Sequence, residues 1–280
     1  MWFSNSLSYP NLSNINLSLM KKFPLLLFTC CLCLGLISWG TVGHKTIAQI
    51  AERHLTPEAR KAIHDLLGNQ SLADISNWAD EVRTNPQFQN TVSWHALYVP
   101  PGLTMIKFKR LVEHQKAVNV FYALFNNENV FYNSSATREQ KISALKFIIH
   151  LVGDAHQLIH ISGTGYKDGS EIQVNYAHQL TSLDSLWQDK LVTQQGWSFT
   201  KMAKKYDSAT PDEIKDWQDD GPMDWLYESY QISTKLYAGV DDKHKPDADF
   251  YKENMPIIEQ QLDKAGIRLA GVLNKLFKSR

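Results

Sequence analysis

Apolar side chains surround the whole helical wheel in one segment near the middle of the chain, residues 142–152. This all-round pattern, unlike the one-sided stripe of a surface helix, predicts a buried helix. His150 and Asp154 are four residues apart at its end and therefore share one face. A buried carboxylate is costly without a positive partner, and no Lys or Arg occurs between Phe147 and Tyr166. The pattern predicts a divalent metal site, the alternative being a histidine that serves a core hydrogen bond.

Helical periodicity also accounts for most of the remaining chain and predicts a mainly α, single-domain protein without internal repeats. The predicted elements are a helix opened by His44, a helix from Pro57 to Gly68 with Thr56 as N-cap, a short helix at Asn77–Arg83, an extended segment at Ser93–Val99, helical structure over 102–131, a polar loop at Asn126–Ser135, the central helix capped by Thr137 and Gln140, a strand at Ile172–Tyr176, and a helical C-terminal third.

The N-terminal region has the pattern of a secretory signal peptide. Lys21 and Lys22 precede an apolar run, Phe23–Ile37, which is shorter than the about 20 residues of a membrane-spanning helix. We expect translation to begin at Met20 and cleavage to follow Ser38, which gives an upstream segment 1–38 and one domain over 39–280. The sequence therefore predicts export to the periplasm or the extracellular space, without a stable membrane anchor.

Composition narrows the possible functions of the exported chain. All three cysteines lie in the segment expected to be removed, so no disulfide can hold the mature protein together. Without Lys21 and Lys22 the chain has 27 basic and 29 acidic side chains, a net charge of −2. A protein that coats nucleic acid through a general positive field is therefore excluded. Any polyanion must be bound locally, by metal ions or a few cationic side chains.

Several short motifs occur in a characteristic order. They are Trp39-Gly-x-x-Gly-His44, Trp78-Ala-Asp80, Trp94-His95, His150-x-x-Gly-Asp154-x-x-Gln-x-x-His160, Ser182-Leu-Asp184-Ser-Leu-Trp187 and Ala265-Gly-Ile-Arg268-Leu-Ala270. Each is weak alone, and the second is more often a solvated helix face. As an ordered set over essentially the whole mature chain, they resemble the three-zinc, single-strand-specific nuclease family of fungi, plants and bacteria.

The resemblance implies an α-helical fold of the zinc phospholipase C and nuclease type, and a set of zinc ligands. The implied ligands are Trp39, His44, Asp80, His95, His150, Asp154, His160 and Asp184. The α-amine and carbonyl of the processed Trp39 would join His44 on one zinc, and Asp154 would bridge it to a second. A third zinc would start from His160.

The implied chemistry is hydrolysis of phosphodiester bonds in single-stranded DNA or RNA, and of 3′-nucleotides, by metal-activated hydroxide. Asp154 and Arg83 would be the catalytic residues, with Arg83 beside the scissile phosphate. Imidazole and carboxylate ligands suit zinc better than magnesium, and we expect two to three zinc ions. Single-stranded nucleic acid or nucleotides would be the partners, and nothing implies a protein partner.

The sequence departs from the family pattern where the third zinc is completed. Asp184 replaces a histidine and Gln188 an aspartate, and an amide is a poor zinc ligand. Leu158 stands for a usual proline, residues 168–170 lack the usual glycine pair and asparagine, and Tyr98 replaces the acidic or amide residue expected to partner the phosphate-binding arginine. Two other interpretations stay open. One is a zinc phospholipase C, because that family shares the fold and an N-terminal Trp ligand. The other, motivated by Asp184 and Gln188, is a metal-binding paralogue with little turnover.

Overall fold

The computed structural model describes residues 40–162, 169–240 and 248–278, and it confirms a mainly helical fold. The predicted signal peptide and Trp39 lie outside the described residues. The α-helices are α1 Gly40–Arg53, α2 Pro57–Leu67, α3 Leu72–Ile75, α4 Trp78–Glu81, α5 Met105–Glu113, α6 Val120–Tyr132, α7 Arg138–His156, α8 Leu183–Ser185, α9 Leu191–Thr193, α10 Phe199–Tyr206, α11 Pro211–Asp219, α12 Pro222–Gly239 and α13 Ala248–Leu276. Of these helices, as far as the structure describes them, none is long and apolar enough to cross a membrane.

Shorter elements connect these helices. They are 3₁₀ segments at Pro86–His95 and Leu158–His160, a π-helical turn at Leu186–Lys190 between α8 and α9, and strands β1 Leu97–Tyr98, β2 Ile161–Ser162, β3 Gln173–Tyr176 and β4 Gln179–Ser182. Strands β3 and β4 form an antiparallel pair, whereas β1 and β2 pair in parallel.

Helix boundaries follow the capping residues of the sequence. The side chain of Thr56 accepts a hydrogen bond from the Ala59 amide, and α2 ends before Gly68, which has a φ of +65°. At the start of α7, Thr137 and Gln140 form the predicted capping box. These local signals fix where the buried central helix begins.

Two sequence predictions were wrong in detail. Ser93 to His95 are not extended, because they end a 3₁₀ segment, and only Leu97–Tyr98 is a strand. The loop predicted from Asn126 is helical as far as Tyr132. Within α6 the Asn127 side chain is buried and donates to the Ala123 carbonyl, so this polar residue is accommodated inside the helix.

The central helix α7 is buried as predicted. From Phe147 to His156 every residue is buried, and α7 packs against α6, α12 and α13. Helix α13 contributes the predicted apolar stripe, of which Ile258, Leu262 and Leu269 are fully buried. The core therefore encloses the helix that carries the predicted metal ligands.

Parallel pairing of β1 and β2 brings two distant histidines together. Leu97 is in register with Ile161, and His95 and His160 lie just before these strands. His160 Nδ1 donates a 2.9 Å hydrogen bond to the His95 carbonyl. A short ladder thus joins segments that are 65 residues apart in the chain.

Candidate metal centre

The Asp154 carboxylate lies at the centre of four histidine side chains. Its Oδ1 is 3.7 Å from His44 Nε2 and 3.6 Å from His160 Nδ1. Its Oδ2 is 2.8 Å from His95 Nδ1 and 3.3 Å from His150 Nε2. The two carboxylate oxygens face different imidazoles, so each could contribute to a different metal ion.

Compact sets of ligand atoms surround this carboxylate. His44, His150 and Asp154 offer atoms within 4.8 Å of one another, and so do Asp80, His95 and His150. The His44 and His150 rings stack with centroids 4.0 Å apart. Within the described part of the chain, these are the groups of three or more such residues compact enough to hold one ion.

Buried nitrogen atoms test whether a metal fits these residues. The Nε2 atom of His95 is buried and has no hydrogen-bond partner among the described residues. His150 Nδ1 donates a 2.8 Å hydrogen bond to the Ser76 carbonyl, which fixes the ring and turns Nε2 toward the carboxylates. Since an orphaned buried nitrogen is costly and neutral imidazole is a good zinc ligand, the residues fit a transition metal.

Charge at this centre is balanced by protons when no metal is bound. Burial, reinforced by nearby His150, lowers the pKa of His44 to about 3, and burial also lowers the pKa of His95, so both rings are neutral. Burial alone would lower the pKa of His150, but the Asp154 and Asp80 carboxylates outweigh it and raise the pKa to about 9. Burial alone would raise the pKa of Asp80, but His150 lowers it to about 2.

Zinc binding by the metal-free protein is therefore expected to release a proton near pH 7. His150 holds its proton until the pH rises through about 9, and it must lose that proton to ligate. Apparent zinc affinity should rise about tenfold per pH unit between pH 6.5 and 8 from this residue alone. Calorimetric titrations in buffers of different ionisation enthalpy measure both quantities. Affinity that stays constant over this range would contradict the assignment.

Gly153 allows His44 to approach α7. A Cβ atom at this position would lie 2.6 Å from His44 Nδ1, well inside contact distance. We expect Gly153→Ala to displace His44, to lower zinc content, and to destabilise the fold by about 1–3 kcal/mol through overpacking. Gly239→Ala is the matched control, since a Cβ at this helix-terminal glycine meets nothing within 4 Å. Zinc analysis and thermal unfolding of both variants check this, and unchanged zinc content in Gly153→Ala would contradict it.

Beside His160 the structure has a hydrogen-bonded cluster. The amide nitrogen of Gln188 donates to Asp184 Oδ1 and lies 3.5 Å from His160 Nε2. All three side chains are buried. An amide group thus lies between the histidine and the carboxylate that were predicted to share a zinc.

The structure brings most of the sequence-predicted site residues together. His44, Asp80, His95, His150, Asp154 and His160 surround one centre, with Asp184 next to His160. Trp39 lies outside the described residues, but its neighbour Gly40 begins α1 close to the Gln188 carbonyl. Arg83 Nη1 lies 3.2 Å from Asp80 Oδ1, so the predicted phosphate-binding cation is held beside a predicted ligand.

His156 shows where a core role applies instead of ligation. Its Nδ1 donates a 2.7 Å hydrogen bond to the Val152 carbonyl, and its Nε2 accepts one of 3.0 Å from Arg268. The sequence interpretation gave this histidine no role, and it also missed the Ser76 carbonyl that orients His150. No side-chain pattern could have revealed a backbone acceptor. A buried arginine is almost always paired, so Arg268 did offer a signal that it has a partner.

Comparison with known proteins identifies the family. The family model described as S1/P1 Nuclease matches residues 39–278. The chain belongs to the S1/P1 nuclease family. Endonuclease 3 of Arabidopsis thaliana is 26% identical over 270 residues, which cover 88% of this chain and 91% of that protein. Nuclease S1 of Aspergillus oryzae is 26% identical over 264 residues, which cover 84% of this chain and 91% of that protein.

A third relative matches over a shorter region. Nuclease P1 of Penicillium citrinum is 29% identical over 155 residues, which cover 53% of this chain and 56% of that protein. As a member of the S1/P1 nuclease family, the protein is a hydrolase that acts on phosphodiester bonds. The resemblance inferred from the ordered motifs is confirmed.

Proposed function

We propose that the protein is an exported, zinc-dependent nuclease that cleaves single-stranded DNA or RNA and removes phosphate from 3′-nucleotides. The observation that carries the proposal is the Asp154 carboxylate, whose two oxygens face separate pairs of buried imidazoles. The family assignment favours a nuclease over a phospholipase C. The signal-peptide pattern at Lys21–Ile37 supports export.

The proposed roles of the residues follow from their surroundings. The α-amine and carbonyl of Trp39, His44 and Asp154 would hold one zinc. A second would be held by a set that shares Asp154, namely Asp80, His95 and His150. When bound, the zinc ions would supply activated water and neutralise negative charge on the phosphate.

Arg83 would act on the same phosphate as the zinc ions. Asp80 orients Arg83 through the 3.2 Å ion pair, and the arginine lies at the edge of the centre with its side chain 12% exposed. A preoriented guanidinium can stabilise the charge that develops on a phosphate in the transition state. Tyr98, 39% exposed and three residues after His95, offers a ring on which an unpaired base can stack.

A substrate panel tests the proposal. Protein processed to begin at Trp39 is incubated with single-stranded DNA, the matching duplex, single-stranded RNA, a 3′-nucleotide and phosphatidylcholine vesicles. We expect cleavage of the single strands and the 3′-nucleotide, little action on the duplex, and none on the lipid. Removal of zinc with a chelator should abolish cleavage, and added zinc should restore it. Lipid hydrolysis alone would overturn the proposal in favour of a phospholipase, and zinc-loaded protein without any turnover in favour of a binding paralogue.

We further propose that this chain holds two zinc ions rather than three. The Gln188 amide donates to Asp184 and lies against His160, so it satisfies both side chains by hydrogen bonding where an ion would otherwise join them. An amide is a weak zinc ligand compared with a carboxylate. We therefore expect these three side chains to form a hydrogen-bonded polar cluster in place of a third zinc site.

Restoring metal ligands in this polar cluster should add a metal ion. We expect Asp184→His combined with Gln188→Asp to raise the zinc content from two to three ions per chain. Gln188→Asn, which keeps an amide, is the matched control and should stay at two. Elemental analysis of the processed proteins measures the content. Three ions in the unchanged protein, or two in the double variant, would contradict the two-zinc assignment.

A further inference from the structure

Arg268 connects three parts of the fold through its guanidinium group. Nη1 donates to His156 Nε2 at 3.0 Å and to Glu228 Oε2 at 2.9 Å. Nη2 donates to Asp220 Oδ2 at 2.7 Å. The residue is 3% exposed, and Lys264 forms a further ion pair with Glu228. The two cations and two carboxylates balance, so the cost of burying Arg268 is offset within the network.

The end of α7 is the part of the fold that this network holds. His156, its last residue, donates to the Val152 carbonyl and accepts from Arg268. Ser229 of α12 donates a 2.8 Å hydrogen bond to the Ala155 carbonyl. Carbonyl groups at a helix C-terminus lack helical partners, so external donors and a nearby cation stabilise that end. Asp154 directly precedes the two anchored residues, Ala155 and His156.

The same turn of α13 also fixes the first helix. A Cβ at Gly266 would lie 2.5 Å from Ile50 Cβ, so the glycine allows α13 and α1 to pack closely. Helix α1 carries His44, whose Nε2 is 3.7 Å from Asp154 Oδ1. One segment, Gly266 to Arg268, therefore touches both helices whose side chains meet at the candidate metal centre.

We propose that Arg268, acting through His156, is a positioning residue for the metal centre. It sets the place of the Asp154 carboxylate relative to His44 without touching metal or substrate. The inference rests on the proposed function, since it assumes that zinc binds around Asp154. It also assigns a task to the Ala265–Ala270 motif, which lies outside the predicted ligand set.

Lysine at position 268 keeps the charge but cannot form the planar fork that reaches His156, Glu228 and Asp220 together. We therefore expect Arg268→Lys to lower zinc affinity by about 10-fold. This is the lower end of the range for residues that hydrogen-bond a metal ligand directly, because Arg268 acts on Asp154 one step removed, through His156. The visible spectrum of the cobalt-substituted variant should also change, because the ligand geometry changes. His156→Phe should reproduce both effects, and combining the two substitutions should add little, since both act through one hydrogen bond.

Lys264→Met is the matched control for stability. Lys264 pairs with Glu228 in the same network, and no hydrogen bond joins it to His156 in the described part of the chain. Its loss should therefore lower the unfolding temperature without changing zinc affinity or the cobalt spectrum. Ser229→Ala is a milder variant that removes one hydroxyl donor from the Ala155 carbonyl. We expect it to lower zinc affinity by about fivefold, which corresponds to the net free energy of one hydrogen bond. This variant still tests the anchoring of α7 if the arginine variants fail to fold.

The deciding measurement is competition for zinc with a chromophoric chelator, run on the processed chain and each variant beside thermal unfolding. Weakened zinc binding in Arg268→Lys and Ser229→Ala, with unchanged binding in Lys264→Met, supports the positioning role. Equal affinities of the unchanged chain and the folded Arg268 and Ser229 variants would overturn that role alone. An equal loss in Lys264→Met would also overturn it, because the effect would then follow general stability. An unchanged chain that binds no zinc would overturn the proposed function as well.

Discussion

Asp154→Asn is expected to reduce phosphodiester cleavage by at least about 10³-fold and to leave the purified protein depleted of zinc. The carboxylate faces His44 and His160 with one oxygen and His95 and His150 with the other, so its loss affects every proposed ion. Metal-based stabilisation of transition-state charge is worth several kcal/mol, and about 4 kcal/mol corresponds to the stated factor. Steady-state rates on single-stranded DNA and elemental analysis of the same sample measure the two effects.

Asp207→Asn is the matched control for this substitution. Asp207 is another largely buried aspartate that pairs with a histidine, His54, at 2.8 Å, and it belongs to neither compact ligand group. We expect it to lose stability while keeping zinc and activity. If Asp154→Asn retained its zinc and cleaved at the unchanged rate, the bridging role of Asp154 would be wrong.

A single residue added before Trp39 should remove one zinc and slow cleavage by at least about 10²-fold. The addition converts the α-amine into an amide, which is no longer a good ligand, and a lost ion removes part of the charge stabilisation. The described structure begins beside the centre: a Cβ at Gly40 would lie 3.1 Å from the Gln188 carbonyl, and Gln188 contacts His160. This position of Gly40 supports the proposal that the residue before it contributes a ligand.

The control for this prediction is the same residue added after Arg280, which should have no effect. Mass spectrometry must first verify that each chain begins and ends as designed. An N-terminally extended protein with full zinc content and full rate would remove the α-amine from the ligand set, while leaving the predictions for Asp154 intact.

Much of this architecture could be predicted from the sequence because its signals are local. All-round hydrophobicity around His150 indicated the buried helix, and Thr56 and Thr137 marked the helix starts that the structure contains. The end of α6, from Asn126 to Tyr132, was predicted as a loop because asparagine is neutral to unfavourable in helices, and tertiary burial decided its conformation. Local propensity carries no information about such burial.

Apart from His150 and Asp154, the residues of the centre were predicted by family resemblance. Four-residue spacing indicated that His150 and Asp154 share a face, but the closeness of His95 and His160 depends on parallel pairing of β1 with β2. Strand pairing across such a separation leaves no local signal in either segment. The same reason explains why the contact of Arg268 with His156, between α13 and α7, was not foreseen.

Zinc content and digestion of single-stranded DNA, measured on one preparation of protein that begins at Trp39, test the central claim most directly. We expect two zinc ions per chain and cleavage that a chelator abolishes and zinc restores. A correctly processed, fully zinc-loaded protein that leaves single-stranded DNA intact would contradict it, and so would cleavage by a protein that binds no zinc.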